Sequence, residues 1–253
     1  MSSMTGGEAV VQSLFSQGVR AVFGLPGTHA LGMFDALQDT PDIQRILTRH
    51  EQGATFMADG YARVSGDIGV CFLSTGPAAS NSLAAMSTAF ADSSPVLNIS
   101  SQTLAAGNKD EGYLHDVSDQ SNIFTEVTGW NERAFSVVSI PWLINDAFAT
   151  MRSGRPKPAA LEIPKKILDS SGEVAIPDRT ITSVPEPTDS QISLVAKIIS
   201  RQQGVIAGTK FAKNLFQLKG CTVKAFVKDG AKVKPNQRIL QVSGLSLIHI
   251  SEP

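Results

Sequence analysis

The stretch "RHEQGATFMADGYARVSG", residues 49–66, is a helix-like run of small and apolar residues that opens on a carboxylate, Glu51. An acid in a helix's first turn is ordinary, because the helix N-terminus favours negative charge. A carboxyl that also borders a dry, Ala- and Gly-rich surface can hold or pass a proton. Phe56, Met57 and Tyr61 recur at helical spacing here, which predicts one face packed into a core. His115, in "GYLHD", is a second group able to move protons near neutral pH. His29 and His50 read as structural. No His, Cys, Asp or Glu cluster has metal-ligand spacing.

These groups need a scaffold, and the pattern around them supplies one. Residues 7–17 carry Ala9, Val10, Leu14 and Phe15 at helical spacing and stop at Gly18. "VRAVFG" is a strand, "LPGTHA" a tight connection into a helix near 30–38, and "IQRILT" the next strand. The helix from Glu51 to Ser65 closes at Gly66. "IGVCFLS" (68–74) is continuously apolar, as a strand buried on both faces must be. "TGPAASN" then leads into a small-residue helix over 80–91, followed by the strand "PVLNISS". "PWLINDAFATMRS" reads as a helix with Pro141 in its first turn, and "PAALEIP" (158–164) as a final strand. Strands alternating with helices, without hairpin signals, predict an α/β fold: an open, mostly parallel sheet with helices on both faces. Ligands bind such sheets beyond the carboxyl ends of the strands. That directs attention to "GLPGTH", "TRHE", "STGPAASN" and "SSQTLAAGNKDEGYLHD".

Composition excludes several classes. The chain has 253 residues, 42% hydrophobic, with a net charge of −1, so a sizeable core forms and a dedicated nucleic-acid binder is not expected. Two cysteines, Cys71 and Cys221, cannot build a disulfide framework. No run approaches a membrane span, and the N-terminus has no basic-then-apolar leader pattern. The expectation is a soluble, cytoplasmic protein with no membrane partner. Charge is uneven: residues 204–253 hold eight Lys/Arg against two acids, a net +6, which leaves −7 for residues 1–203.

The loops "VFGLPGTHAL", "RHEQGATFMADGYARVSGDIGVCFLSTGPAASN", "AFADSSPVLNIS" and "SGRPKPAALEIPKKI" closely resemble one family in this order. It is the N-terminal pyrimidine-binding domain of thiamine-diphosphate-dependent enzymes of the acetolactate synthase type. "PGTHAL" and "GYLHDVSDQ" are most similar to the branch that decarboxylates the 2-oxo acid derived from arginine. The resemblance implies that Glu51 hydrogen-bonds a ring nitrogen of the cofactor's aminopyrimidine. It would stabilise the tautomer whose amino group takes the thiazolium proton. It also implies cofactor contacts at Pro26, Gly27, Ser74, Gly76, Pro77 and Asn81, with Asn81 the leading side chain. Ala78 stands where the family usually has Gly. His115 takes the place of a Gln of acetolactate synthases near the reacting carbon.

In that family a separate domain carries a Gly-Asp-Gly motif that binds Mg2+ and, through it, the diphosphate; no Gly-Asp-Gly occurs in this chain. The resemblance implies a 2-oxo acid substrate for a full-length parent, FAD in some members, and sites shared in a homodimer or homotetramer. This chain alone is not expected to turn over substrate. A non-catalytic module pairing with a separate metal-binding subunit is the alternative.

The remainder divides differently. The pyrimidine-binding domain is expected over residues 1–168, and a Pro-, Ser- and Thr-rich linker over 169–190. Residues 191–203 read as the first helix of a truncated central domain, with Ile192, Val195, Ile198 and Ile199 on one face. Residues 204–244 resemble an N-terminal piece of quinolinate phosphoribosyltransferase, an α+β fragment foreign to the first part; a lipoyl-like hairpin also suits "VKDGAKVKPNQRIL". The ending "LSLIHISEP" (245–253) resembles translated sequencing adapter, which makes the whole a candidate chimeric reading frame.

Overall fold

A computed structural model describes residues 2–103, 114–115, 117–179, 197–218 and 221–243. The chain divides between Val184 and Pro185 into two compact units. No helix among the described residues is long and apolar enough to cross a membrane.

The first unit is built on six strands: β2 (Ala21–Gly24), β3 (Gln44–Leu47), β4 (Gly69–Leu73), β5 (Val96–Gln102), β6 (Trp130–Arg133) and β7 (Ala159–Pro164). They lie in the order β3-β2-β4-β5-β7-β6, and every pairing is parallel. This is the sheet the alternating pattern predicted. Strands β4, β5 and β7 are buried along their whole length, which is why they carry no polar face to solvent.

One face of the sheet is covered by α1 (Gly6–Ser16), α2 (Leu31–Gln38) and α6 (Ile140–Arg152). Val10, Leu14, Met33, Phe72, Leu97 and Ile144 meet there. Helix α1 starts with a reciprocal cap, Thr5 and Glu8 each bonding the other's backbone N–H. Phe15, expected on the inner face of α1, is partly exposed beneath the Arg20 guanidinium.

The other face carries α3 (Glu51–Ser65) and α5 (Leu83–Asp92), preceded by the short α4 (Pro77–Asn81). Here the sequence expectation is corrected. Helix α3 buries Ala54, Thr55, Ala58, Asp59 and Ala62, while Phe56 and Met57 are 42% and 48% exposed. Small side chains let the helix backbone approach the sheet closely; Phe56 and Met57 turn outward, while Tyr61 is half-buried against Phe23. The His50 Nδ1 caps α3 by accepting the Gln52 N–H at 3.2 Å, and Gly66 ends it in the left-handed region.

Three strands of the first unit were not anticipated: β6, at the edge of the parallel sheet, and two that pair with each other. Ser2–Thr5 (β1) pairs antiparallel with Ser171–Val174 (β8), just after the short helix α7 (Lys165–Asp169). The opening of the expected linker is therefore part of the first unit.

In the second unit, Lys197–Ile199 is a strand (β9), where a helix was expected; residues 191–196 of that expectation lie outside the described residues. Ile198 and Ile199 are β-branched, and β13 (Arg238–Ser243) offers them a backbone ladder. Strand β13 also pairs with β11 (Thr222–Ala225), and β10 (Gly204–Val205) with β12 (Lys232–Val233), all antiparallel. Helix α8 (Thr209–Leu218) begins at Thr209, whose N–H and Oγ1–H both donate to Asp229 at 2.7 Å. Small cores form around Phe216, Cys221 and Val242, and around Val227, Val233, Ile239 and Leu240.

Candidate functional site

The connection after β2 leads to α2 on one face, while that after β4 leads to α4 and α5 on the other. Neighbouring strands whose connections leave in opposite directions open a crevice at their carboxyl ends. A cleft of about 220 Å3 sits there. Pro26 and Gly27 border it from the β2 connection, and Ser74 and Pro77 from the β4 connection. Glu51, at the head of α3, and Asn81, at the end of α4, complete it with His115. Gly76 does not line the cleft.

The two connections touch closely. A Cβ built on Gly27 would lie 2.6 Å from the Ser74 Oγ, so only glycine lets this backbone pass. Gly76 has φ 61° and ψ −110°, a conformation closed to residues with a Cβ. A Cβ there would meet the His115 carbonyl oxygen at 2.1 Å. The strap that carries His115 is thus seated directly on Gly76.

Gln120 makes that seat firm. Its side chain is fully buried; Oε1 accepts the Gly76 N–H at 2.5 Å, and Nε2 donates to the Ser100 Oγ and the Ser101 carbonyl. Sequence reasoning missed Gln120, and no local spacing marks it. Nearby, Glu162 on β7 is 2% exposed and ion-paired with Arg133. Burial pushes its carboxyl above the usual range, against the pull of Arg133.

Glu51 accepts a hydrogen bond from the Asn81 Nδ2 at 3.0 Å. Among the described residues no donor meets its other oxygen. His29, read as structural from the sequence, also lines the cleft. Its Nδ1 lies 3.1 Å from the Thr75 Oγ1, which in turn meets the Ser101 Oγ at 3.2 Å. Burial, then His115, then Lys165 hold the His29 imidazole below its ordinary value. The His29 and His115 rings stand edge to face with centroids 6.4 Å apart. His115 itself has φ 62°. His50, by contrast, is occupied as the α3 cap.

The arrangement sets one carboxylate and two imidazoles around a cleft edged by glycine backbone, groups able to hydrogen-bond a polar ligand and to hold or pass a proton. Among the described residues no group of three or more His, Cys, Asp or Glu could hold a metal.

Two segments of the chain match known families. Residues 4–123 match the family described as thiamine pyrophosphate enzyme, N-terminal TPP binding domain. Residues 178–249 match the quinolinate phosphoribosyl transferase N-terminal domain. The chain is 45% identical over 167 residues to the probable 2-ketoarginine decarboxylase AruI of Pseudomonas aeruginosa, covering 66% of this chain and 30% of that protein. It is 36% identical over 211 residues to the probable acetolactate synthase large subunit of Methanocaldococcus jannaschii, covering 79% and 34%. For the acetolactate synthase isozyme 3 large subunit of Escherichia coli the figures are 36% over 174 residues, 69% and 30%. The chain spans about a third of the length of these relatives. Residues 4–123 are thus similar to the N-terminal TPP binding domain of the thiamine pyrophosphate enzymes, and a segment matching a second family follows.

Proposed function

We propose that this chain is the N-terminal, pyrimidine-binding part of a thiamine-diphosphate-dependent 2-oxo acid decarboxylase or acetolactate-type carboligase, inactive on its own. One observation carries the reading: a carboxylate at a helix head faces a glycine-edged cleft at the carboxyl ends of parallel strands. Glu51 holds a proton against a ring nitrogen; Pro26, Gly27, Ser74 and Pro77 clasp the ring; Gly76 shapes the loop behind it. His115, with His29 beside it, stands ready to move a proton at the substrate end. When bound, the cofactor supplies a nucleophilic thiazolium carbon. The Mg2+ and diphosphate anchor comes from a domain outside this chain, FAD binding belongs to the full-length parent, and the working protein is a cytoplasmic homodimer or homotetramer. The foreign segment is the stretch from residue 204 to 244, beyond a linker whose opening strand, β8, belongs to the first unit.

The test is a substitution of the glutamate aligned with Glu51 by Gln in the full-length 2-ketoarginine decarboxylase relative. Loss of a proton-transfer role lowers turnover by about 10²–10⁴-fold. Unchanged turnover would remove the role assigned to Glu51.

A further inference from the structure

The sequence marks Asn81 as a side chain that touches the cofactor, but the structure gives its amide a different partner. Its Nδ2 donates to the Glu51 Oε2 at 3.0 Å, from the end of α4 across to the head of α3. The amide orientation follows from charge, because the opposite one would set Oδ1 against a carboxylate oxygen. This bond is charge-assisted and occupies one of the two oxygens. The other, Oε1, has no donor among the described residues, and Glu51 lines the cleft.

We propose that Asn81 is a positioning residue: it ties down Oε2, so that Oε1 alone is presented to the ring nitrogen of the bound pyrimidine. The inference rests on the function proposed above and deepens it. A carboxylate with two equivalent free oxygens can rotate about its last torsion and share its proton from either. One fixed by Asn81 has a single oxygen and a single direction for the proton. Pro77 at the start of α4 and the Gly76–Gln120 bond behind it hold α4, and hence Asn81, in place. The contact therefore couples the loop after β4 to the group presented by the loop after β3.

Two measurements on the full chain test this. The first follows the Asn81 side-chain amide by 15N NMR during acid titration. Its protons should shift in one step that disappears in Glu51→Gln; an amide unaffected by Glu51→Gln would overturn the proposal. The second is calorimetric titration with thiamine, which has no diphosphate, in buffers of different ionisation enthalpy, to count protons taken up on binding. The pH at which uptake is half complete should rise from parent to Asn81→Ala to Asn81→Asp. The first step is up to about one pH unit, the tenfold in proton affinity that a charge-assisted hydrogen bond is worth. Asn81 is exposed, so these variants fold, and a merely structural role would not order them this way. Identical uptake curves in all three, with uptake still abolished by Glu51→Gln, would overturn the positioning role alone. Absence of thiamine binding to the parent, or uptake indifferent to Glu51→Gln, would overturn the proposed function and this inference with it.

Discussion

Replacing Gly76 by Ala is the sharpest test of how the cleft is built. The residue sits at φ 61°, ψ −110°, and a Cβ would lie 2.1 Å from the His115 carbonyl oxygen. Either the loop leaves this conformation or the His115 strap lifts away. In the first case Gly76 withdraws its N–H from the fully buried Gln120 side chain, which bonds it at 2.5 Å. If the loop moves, the orphaned buried acceptor costs about 1–3 kcal/mol; if it stays, holding a non-glycine residue in such a region costs about as much. Either way about 1–3 kcal/mol is lost, which lowers the unfolding temperature of a unit this size by roughly 2–12 °C. Both tryptophans, Trp130 and Trp142, belong to the first unit, so their fluorescence during heating reports its unfolding separately from the second. Gly53→Ala is the control: it is helical, and a Cβ there meets nothing within 4 Å. It should raise stability by up to about 1 kcal/mol through helix propensity. If Gly76→Ala melted with the parent, the seat described for His115 and Gln120 would be wrong.

Three further outcomes are expected. Glu162→Ala strands the Arg133 guanidinium without its buried partner and should cost about 3 kcal/mol, the lower end for a broken buried pair because Arg133 keeps some exposure; an unchanged urea midpoint in tryptophan fluorescence would contradict this. Cys71 is fully buried, its thiol pushed up to about 12 by desolvation against a weak hydrogen bond with Thr55. Maleimide should therefore modify it only as fast as the first unit unfolds, and rapid native labelling, located by mass spectrometry, would refute the packing of β4. His29 has a lowered value in the fold, so the unfolded chain binds more protons just below about 6.5, and stability held above that pH is lost as pH falls through the window. The gap in unfolding temperature between parent and His29→Gln should narrow on acidification; a pH-independent gap would show that His29 is not kept neutral by its surroundings.

What the sequence made legible follows from how far each residue's partners lie along the chain. Buried parallel strands announce themselves, because "IGVCFLS" has no polar side to offer water. Glu51 was legible because its placement is local: a strand ends, His50 caps the next helix through Gln52 two residues on, and the carboxylate must stand at the head. The reading of His50 as structural rests on the same short reach. The place of His29 beside the cleft was not legible, because its partner Thr75 lies 46 residues away across a neighbouring strand, and nothing in "PGTHA" signals it. Gln120 holds Gly76 over a separation of 44 residues. The strand β8 takes its partner β1 from the other end of the unit, and "SSMT" has no apolar alternation to advertise the pairing. Residues 197–199 fit a helical period until β13, about forty residues on, supplies a ladder. Asn81 falls between these cases. Its residue type and loop were readable, yet its role depends on which of two acceptors, ring or carboxylate, comes within reach of Nδ2. That choice is made by the distance between the ends of β3 and β4, which are not neighbours in the sheet but flank β2. The strand order, invisible in any one motif, is thus what turns a presumed ligand contact into a brace for the carboxylate.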